Sequence, residues 1–248
     1  MSRFLAYLRS RWVARVAIVF FVMAVPLFLI TTNLRIIINS GWLYSFGYDH
    51  NDSVALSGIE KPDLMRIAED IKTYFNNNKE PLQLRPPYDD LFTDREVTHM
   101  KDVKGLVRGL AFWQRVTFVY MAGFIAIGAL LWGRRELLRR LAHGVLWGSV
   151  LALVLIVAAG LGSLVGFDTL FEKFHTLSFS NDFWQLNDND YLLRIFPEGF
   201  FLDATLIVAA MTFAQAALGA TASAAYLLRR RPTPAACAGL SSVDQTKP

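Results

Sequence analysis

Four stretches of this chain are long and apolar enough to cross a bilayer, and that constrains its fold more than anything else in the sequence. They run approximately over residues 16–38, 116–132, 141–165 and 201–228. Crossing about 30 Å of hydrocarbon takes about 20 apolar residues as a helix. A helix is required because lipid offers no partner for an open backbone hydrogen bond. The chain is 54% hydrophobic yet still 19% charged, so the two kinds of residue must be segregated along it. The expected fold is an all-α membrane protein: four transmembrane helices and two extracytoplasmic segments that carry amphipathic helices. The first span reads as a retained helix. Its apolar run exceeds a signal-peptide core, and Thr31, Thr32, Asn33 and Arg35 follow where a small-residue cleavage site would stand.

Charge sets the expected orientation. Arg3, Arg9, Arg11 and Arg15 precede the first span, Arg134, Arg135, Arg139 and Arg140 join the second to the third, and Arg229, Arg230 and Arg231 follow the fourth. All three groups fall on one side of a four-span path, and short basic segments stay cytoplasmic. Both termini are therefore expected inside a bacterial cytoplasmic membrane, with segments 39–115 and 166–200 outside. The net charge of +4 resides in these clusters, so it reads as topology, and no nucleic-acid partner is expected. The expected organisation is one membrane domain over 1–231 and a disordered tail over 232–248, rich in Pro, Ala and Ser. The single cysteine, Cys237, lies in that tail and excludes an intramolecular disulfide or a cysteine-based metal cluster.

Segment 39–115 is too long for a structureless connection. After Gly58, Leu64, Ile67, Ala68, Ile71, Tyr74 and Phe75 recur at helical spacing behind Pro62, and Asn76-Asn77-Asn78 ends the pattern. Prolines 81, 86 and 87 predict an extended stretch. A second helix opens at Thr93, where Glu96 completes a capping box. Val97, Met100, Val103, Leu106, Val107 and Leu110 form its apolar face. It is expected to lie on the membrane surface or run into the second span.

That helix carries His99, with Glu96 and Asp102 three residues to either side. This spacing puts all three on neighbouring surface, where a carboxylate would orient the imidazole and raise its pKa. His175 lies past the end of the third span, between Phe174 and Phe179. Two of the chain's four histidines thus fall in the motif-dense outer segments. His50 reads as a loop residue without a partner, and His143 as a packing residue behind the arginine cluster. Thr32, Arg35 and Asn39 make a polar stripe in the outer part of the first span. Arg35 either faces the bundle interior or snorkels to the headgroups, and Arg115 reads as snorkelling.

Two motifs carry a family resemblance. Phe92-Thr93-Asp94-Arg95-Glu96 with His99-Met100-Lys101-Asp102-Val103 is the first. Phe174-His175 through Phe179-Ser180-Asn181-Asp182-Phe183-Trp184, followed by Phe196-Pro197-Glu198-Gly199-Phe200-Phe201, is the second. Together they resemble the DUF1461 family of bacterial integral membrane proteins, which includes the lipoprotein intramolecular transacylase. The resemblance covers almost the whole chain and departs after Trp184, where Gln185-Leu186-Asn187-Asp188 replaces the family's Asp-Pro pair.

The resemblance implies an acyltransferase acting on the N-terminal lipid-modified cysteine of lipoproteins in contact with membrane lipids, with the acyl chain moving from glycerol to the cysteine α-amino group. A histidine suits that chemistry because it can take the amine's proton and deliver it to the leaving oxygen. On this reading His175 is the principal acid/base and His99 its partner. Asn181, Arg35 and Asp102 are oxyanion or substrate-binding candidates, joined by Trp184 of the second motif, and no cofactor or metal is required. Ser178 and Ser180 leave an acyl-enzyme route open. Two other classes remain: a metal-dependent membrane hydrolase using His99, His175 and carboxylates such as Asp102 or Asp182, and a non-catalytic membrane accessory protein.

Overall fold

A computed structural model, which describes residues 11–229, has helices as its only regular secondary structure among those residues. Nine helices follow in order: α1 (Arg11–Ile38), α2 (Gly41–His50), α3 (Ser53–Ser57), α4 (Lys61–Asn76), α5 (Asp94–Leu131), α6 (Arg134–Val165), α7 (Phe167–Ser178), α8 (Tyr191–Ile195) and α9 (Glu198–Arg229). The basic residues Arg3, Arg9, Arg230 and Arg231 and the tail 232–248 lie outside the described residues. Four helices, α1, α5, α6 and α9, are long and apolar enough to span a membrane. This is a multi-pass membrane protein.

In the bundle α6 packs against both α1 and α9, and α1 also packs against α5. Close approach of α1 and α6 depends on Gly148. A Cβ there would stand 2.5 Å from Val25 Cβ and 3.0 Å from the Val22 carbonyl oxygen. Small residues at such crossings let backbones meet where lipid gives little hydrophobic drive for association. A polar clamp joins α1 to α9. Fully buried Asn33 donates to Thr212 Oγ1 at 2.9 Å and to Gln215 Oε1 at 2.9 Å, and Gln215 Nε2 donates back to Asn33 Oδ1 at 3.1 Å. Val19, Phe20, Phe118, Val154 and Leu206 stay exposed, as a lipid-facing surface requires.

α5 decides where the site sits. It is one unbroken helix of 38 residues, about 57 Å at 1.5 Å per residue. The expected surface helix and second span are thus a single rod, well beyond the about 30 Å that a crossing takes. The capping box at its start is present: Glu96 N–H donates to Thr93 Oγ1 and Thr93 N–H to Glu96 Oε2 at 2.7 Å.

Around the N-terminal half of α5 the two loop segments fold together. Their shared core joins Tyr44 and Tyr48 of α2, Leu64, Ile67, Ile71 and Tyr74 of α4, Met100 of α5, Leu192 and Ile195 of α8, and Phe196 and Phe200 ahead of and within α9. α4 matches the predicted helix, with all six expected apolar residues buried. Three short helices, α2, α3 and α8, do not stand out in the sequence, whereas α7 supplies the amphipathic helix expected in segment 166–200. His50 is correspondingly not a loop residue: it ends α2, and its Nδ1 lies 2.8 Å from Asp203 Oδ2 of α9. Gly47 lets α2 approach the α9 start, since a Cβ there would meet the Phe200 ring at 2.3 Å.

Candidate active site

α7 carries His175 and α5 carries His99, and the fold brings the two rings to a centroid separation of 6.0 Å with a tilt of 34°. Both side chains are 7% exposed. His175 is ringed by Phe171 at 4.3 Å, Trp184 at 5.1 Å, Phe174 at 5.3 Å and Phe179 at 5.6 Å. Phe179 also meets His99 edge-on at 5.1 Å. Phe171, one turn back, and Phe174, the preceding residue, reach His175 from its own helix. Phe179 and Trp184 come from the chain that follows α7 and folds back.

The His175 tautomer is set by one bond. Its Nδ1 lies 2.7 Å from the Phe171 carbonyl oxygen. A carbonyl only accepts, so Nδ1 carries the proton and Nε2 of the neutral ring keeps the lone pair. No partner reaches the buried Nδ1 of His99 among the described residues. No hydrogen bond joins Ser178 or Ser180 to either histidine there.

Electrostatics run against the sequence expectation for His99. Burial pushes its pKa down to about 4, the neighbouring His175 adds to the depression, and Asp102 opposes it. The expected rise from flanking carboxyls is outweighed by burial: Asp102 still favours protonation, but Glu96 is committed elsewhere. Glu96 is fully buried, and accepts from Thr93 N at 2.7 Å, Thr93 Oγ1 at 2.9 Å and Leu192 N at 2.6 Å. Asp102 Oδ2 accepts from Asn181 Nδ2 at 2.9 Å. Burial also holds His175 below the ordinary histidine value, against the raising effect of its bond to Phe171. Both imidazoles are therefore neutral near pH 7.

The structure thus gathers His99, His175, Asp102, Asn181 and Trp184. It does not bring Arg35 to them. Arg35 Nη1 donates to Gln114 Oε1 at 2.7 Å, and Gln114 lies about 22 Å along α5 from His99 at 1.5 Å per residue. There Arg35 lines a separate polar cleft of about 360 Å³ with Thr32, Ile36, Asn39, Asn76 and Gln114. Asn181 is partly committed: one amide hydrogen goes to Asp102, and its oxygen accepts from Phe183 N at 3.1 Å.

Glu96 does more than cap its helix. Beyond its cap it reaches the α8 backbone through Leu192 N–H, and so ties the two loop segments together at the site. The capping motif identified it, but nothing local indicated the second partner. A metal reading needs about three protein ligands even for an open catalytic zinc. Among the described residues no three His, Cys, Asp or Glu side chains converge to hold one.

The family model described as lipoprotein intramolecular transacylase Lit matches residues 19–201. The chain belongs to that family. The lipoprotein intramolecular transacylase Lit of Bacillus cereus, a membrane-integral protein, superimposes with a TM-score of 0.76 at 21% identity over 89% of this chain and 98% of that one. A form of it with a histidine-to-arginine substitution gives a TM-score of 0.71 at 21% identity, over 93% and 98% of the two chains. An uncharacterized protein of Aquifex aeolicus (strain VF5) is 32% identical over 122 residues, 49% of this chain and 51% of that protein. The match therefore spans about half the length of that curated relative. The histidine pair lies within the residues that match the Lit family.

Proposed function

We propose that this Lit-family chain moves one acyl chain within the N-terminal S-diacylglyceryl-cysteine of a lipoprotein, from the sn-2 glycerol oxygen to the cysteine's own α-amino group. The histidine-bearing face points outward and both termini lie in the cytoplasm, an orientation supported by the arginines at the α5–α6 turn and the end of α9. The observation that carries the reading is the pair of buried, neutral histidines 6.0 Å apart, at the junction of the two loop segments of a family member.

The chemistry follows from their state. The substrate amine has a pKa of about 8 and attacks only when unprotonated. His175 Nε2, neutral and free of its own helix, takes the nitrogen proton as the C–N bond forms. The ester C–O bond then breaks, and the same proton passes to the departing glycerol oxygen. A depressed pKa makes His175 a weaker base but keeps it unprotonated at pH 7, and makes its imidazolium a stronger acid for that second step. His99 orients the amine or donates to the developing oxyanion, to which the spare Asn181 amide hydrogen also contributes. Asp102 holds Asn181. Trp184 and the phenylalanine ring exclude water and pack the acyl chain. Amine and ester sit in one molecule, so holding them together supplies much of the acceleration. No step needs a cofactor, and Arg35 in its separate cleft is assigned none.

The test is mass spectrometry of lipoprotein N-termini from cells that otherwise make only the diacylated form. Wild type is expected to yield the lyso-form with an N-acyl cysteine. His175→Ala and His99→Ala are each expected to lower the yield by about 10²- to 10⁴-fold, the usual contribution of a general acid/base. Unchanged lyso-form in both variants would refute the assignment.

A further inference from the structure

Beside the histidine pair lies a cleft of about 540 Å³ lined by Asp94, Arg95, Thr98, Asn181, Asp182 and Phe183. It is built from both halves of the site: the first turns of α5 on one wall and the loop after α7 on the other. Thr98 precedes His99 in α5, and Asn181, which lines the cleft, donates to Asp102, so the cleft adjoins the residues that flank the histidine pair. Its chemistry differs from the aromatic ring around His175. Arg95 Nη2 donates to the Asp182 carbonyl at 2.7 Å, which fixes the guanidinium across the cleft. Its Nε is buried and has no hydrogen-bond partner among the described residues. Such a donor is costly to leave unmade. The exposed carboxyls of Asp94 and Asp182 carry no side-chain partner there either.

An intramolecular transacylase must hold an amphiphile at its waist. The acyl chains belong with Phe171, Phe174, Phe179 and Trp184. The polypeptide leaves the same cysteine through its α-carbonyl, only a few bonds from the reacting nitrogen, so it must depart within a few ångströms of the histidines. The polar cleft is the departure route whose chemistry fits.

We propose that this cleft is a polypeptide subsite. It takes the residues that directly follow the lipid-modified cysteine, with Arg95 Nε–H donating to a substrate backbone carbonyl and with Asp94 and Asp182 selecting basic over acidic side chains. This rests on the transacylase reading above. Two carboxyls against one guanidinium leave the lining net negative, so a lysine beside them is attracted and an aspartate repelled.

The experiment uses the purified full chain in zwitterionic phosphatidylcholine vesicles, so that bilayer charge does not sort the substrates. Three diacylglyceryl-cysteine lipopeptides are compared, with Ser-Ser, Lys-Lys or Asp-Asp after the cysteine, and kcat/KM is read from lyso-form production. The Lys-Lys peptide is expected to exceed the Asp-Asp peptide by about tenfold, as two exposed charge contacts would give, with the ratio shrinking in high salt. The Asp94→Lys and Asp182→Lys double variant is expected to invert the preference, and Asp182→Asn to reduce it to about threefold. The ratio is taken on one preparation, so loss of folded protein cancels, and the milder variant decides if the double variant does not fold. Conversion of all three peptides with equal kcat/KM, or a ratio unmoved in the variants, overturns the subsite and leaves the transacylase reading intact. Absence of lyso-form from every peptide overturns the transacylase reading itself.

Discussion

Replacing Glu96 tests the claim that one buried carboxyl joins the two halves of the site. Glu96→Ala removes three accepted hydrogen bonds, from Thr93 N, Thr93 Oγ1 and Leu192 N. Thr93 is exposed, so water can replace its partner, and the loss there is that of a helix cap, about 1 kcal/mol. Leu192 is buried. Its N–H is left without an acceptor, at about 1–3 kcal/mol. The sum, about 2–4 kcal/mol, should fall on the docking of α8 against α5 rather than on the membrane bundle. At about 1.4 kcal/mol per factor of ten, opening of that contact becomes about a hundredfold more frequent. Hydrogen–deuterium exchange reads this directly. In detergent-purified protein the peptide covering residues 187–196 is expected to exchange about a hundredfold faster, while peptides from α6 keep wild-type rates. Glu96→Gln retains an oxygen for Leu192 N–H and should stay within about tenfold of wild type. If Glu96→Ala leaves exchange at 187–196 unchanged, the carboxyl does not hold the halves together.

Three further outcomes follow from the same geometry. His99 titrates below its unfolded value, with a folded pKa of about 4 against about 6.5 unfolded. Its contribution to stability is therefore complete above about pH 6.5 and lost as pH falls toward 4; thermal unfolding of wild type should weaken over that window, and His99→Gln should flatten the dependence. Asp102→Ala and Asn181→Ala are expected to be non-additive by about 1 kcal/mol in a double-mutant cycle on unfolding, since each removes the same 2.9 Å bond; strict additivity would deny that coupling. Gly148→Leu forces a side chain against Val25 and the Val22 carbonyl and should cost about 1–3 kcal/mol as overpacking between α1 and α6, read as a lower unfolding temperature in detergent; an unchanged temperature would refute the close approach.

Much of the architecture is a local property of the chain, and the sequence determined it. Span positions follow from the length of apolar runs. α4 follows from helical periodicity, and the α5 start from a capping box contained within Thr93–Glu96. Each depends on residues within one or two helical turns of one another. The small helices α2, α3 and α8 are hidden because they are short, and aromatic residues in segments next to a membrane carry little period of their own. His50 was misread for the same reason, as its partner Asp203 comes from α9.

What only the tertiary structure decided is the site. The two motifs contain His99 and His175, but nothing in either fixes 6.0 Å between the rings. That distance comes from α7 and the chain after it folding onto the start of α5, where Phe179 lies against both rings. The direction of the His99 shift was likewise beyond the sequence. Helical spacing placed two carboxyls beside the ring, which argued for a raised pKa. Folding gave Glu96 to Leu192 and Asp102 to Asn181, and then buried the imidazole. Desolvation depends on what the rest of the chain packs around a group, and here it outweighs the one nearby charge that still favours protonation. Arg35 shows the same limit in reverse. Its polar stripe was legible, but its distance from the histidines was set by where along α5 the first span packs.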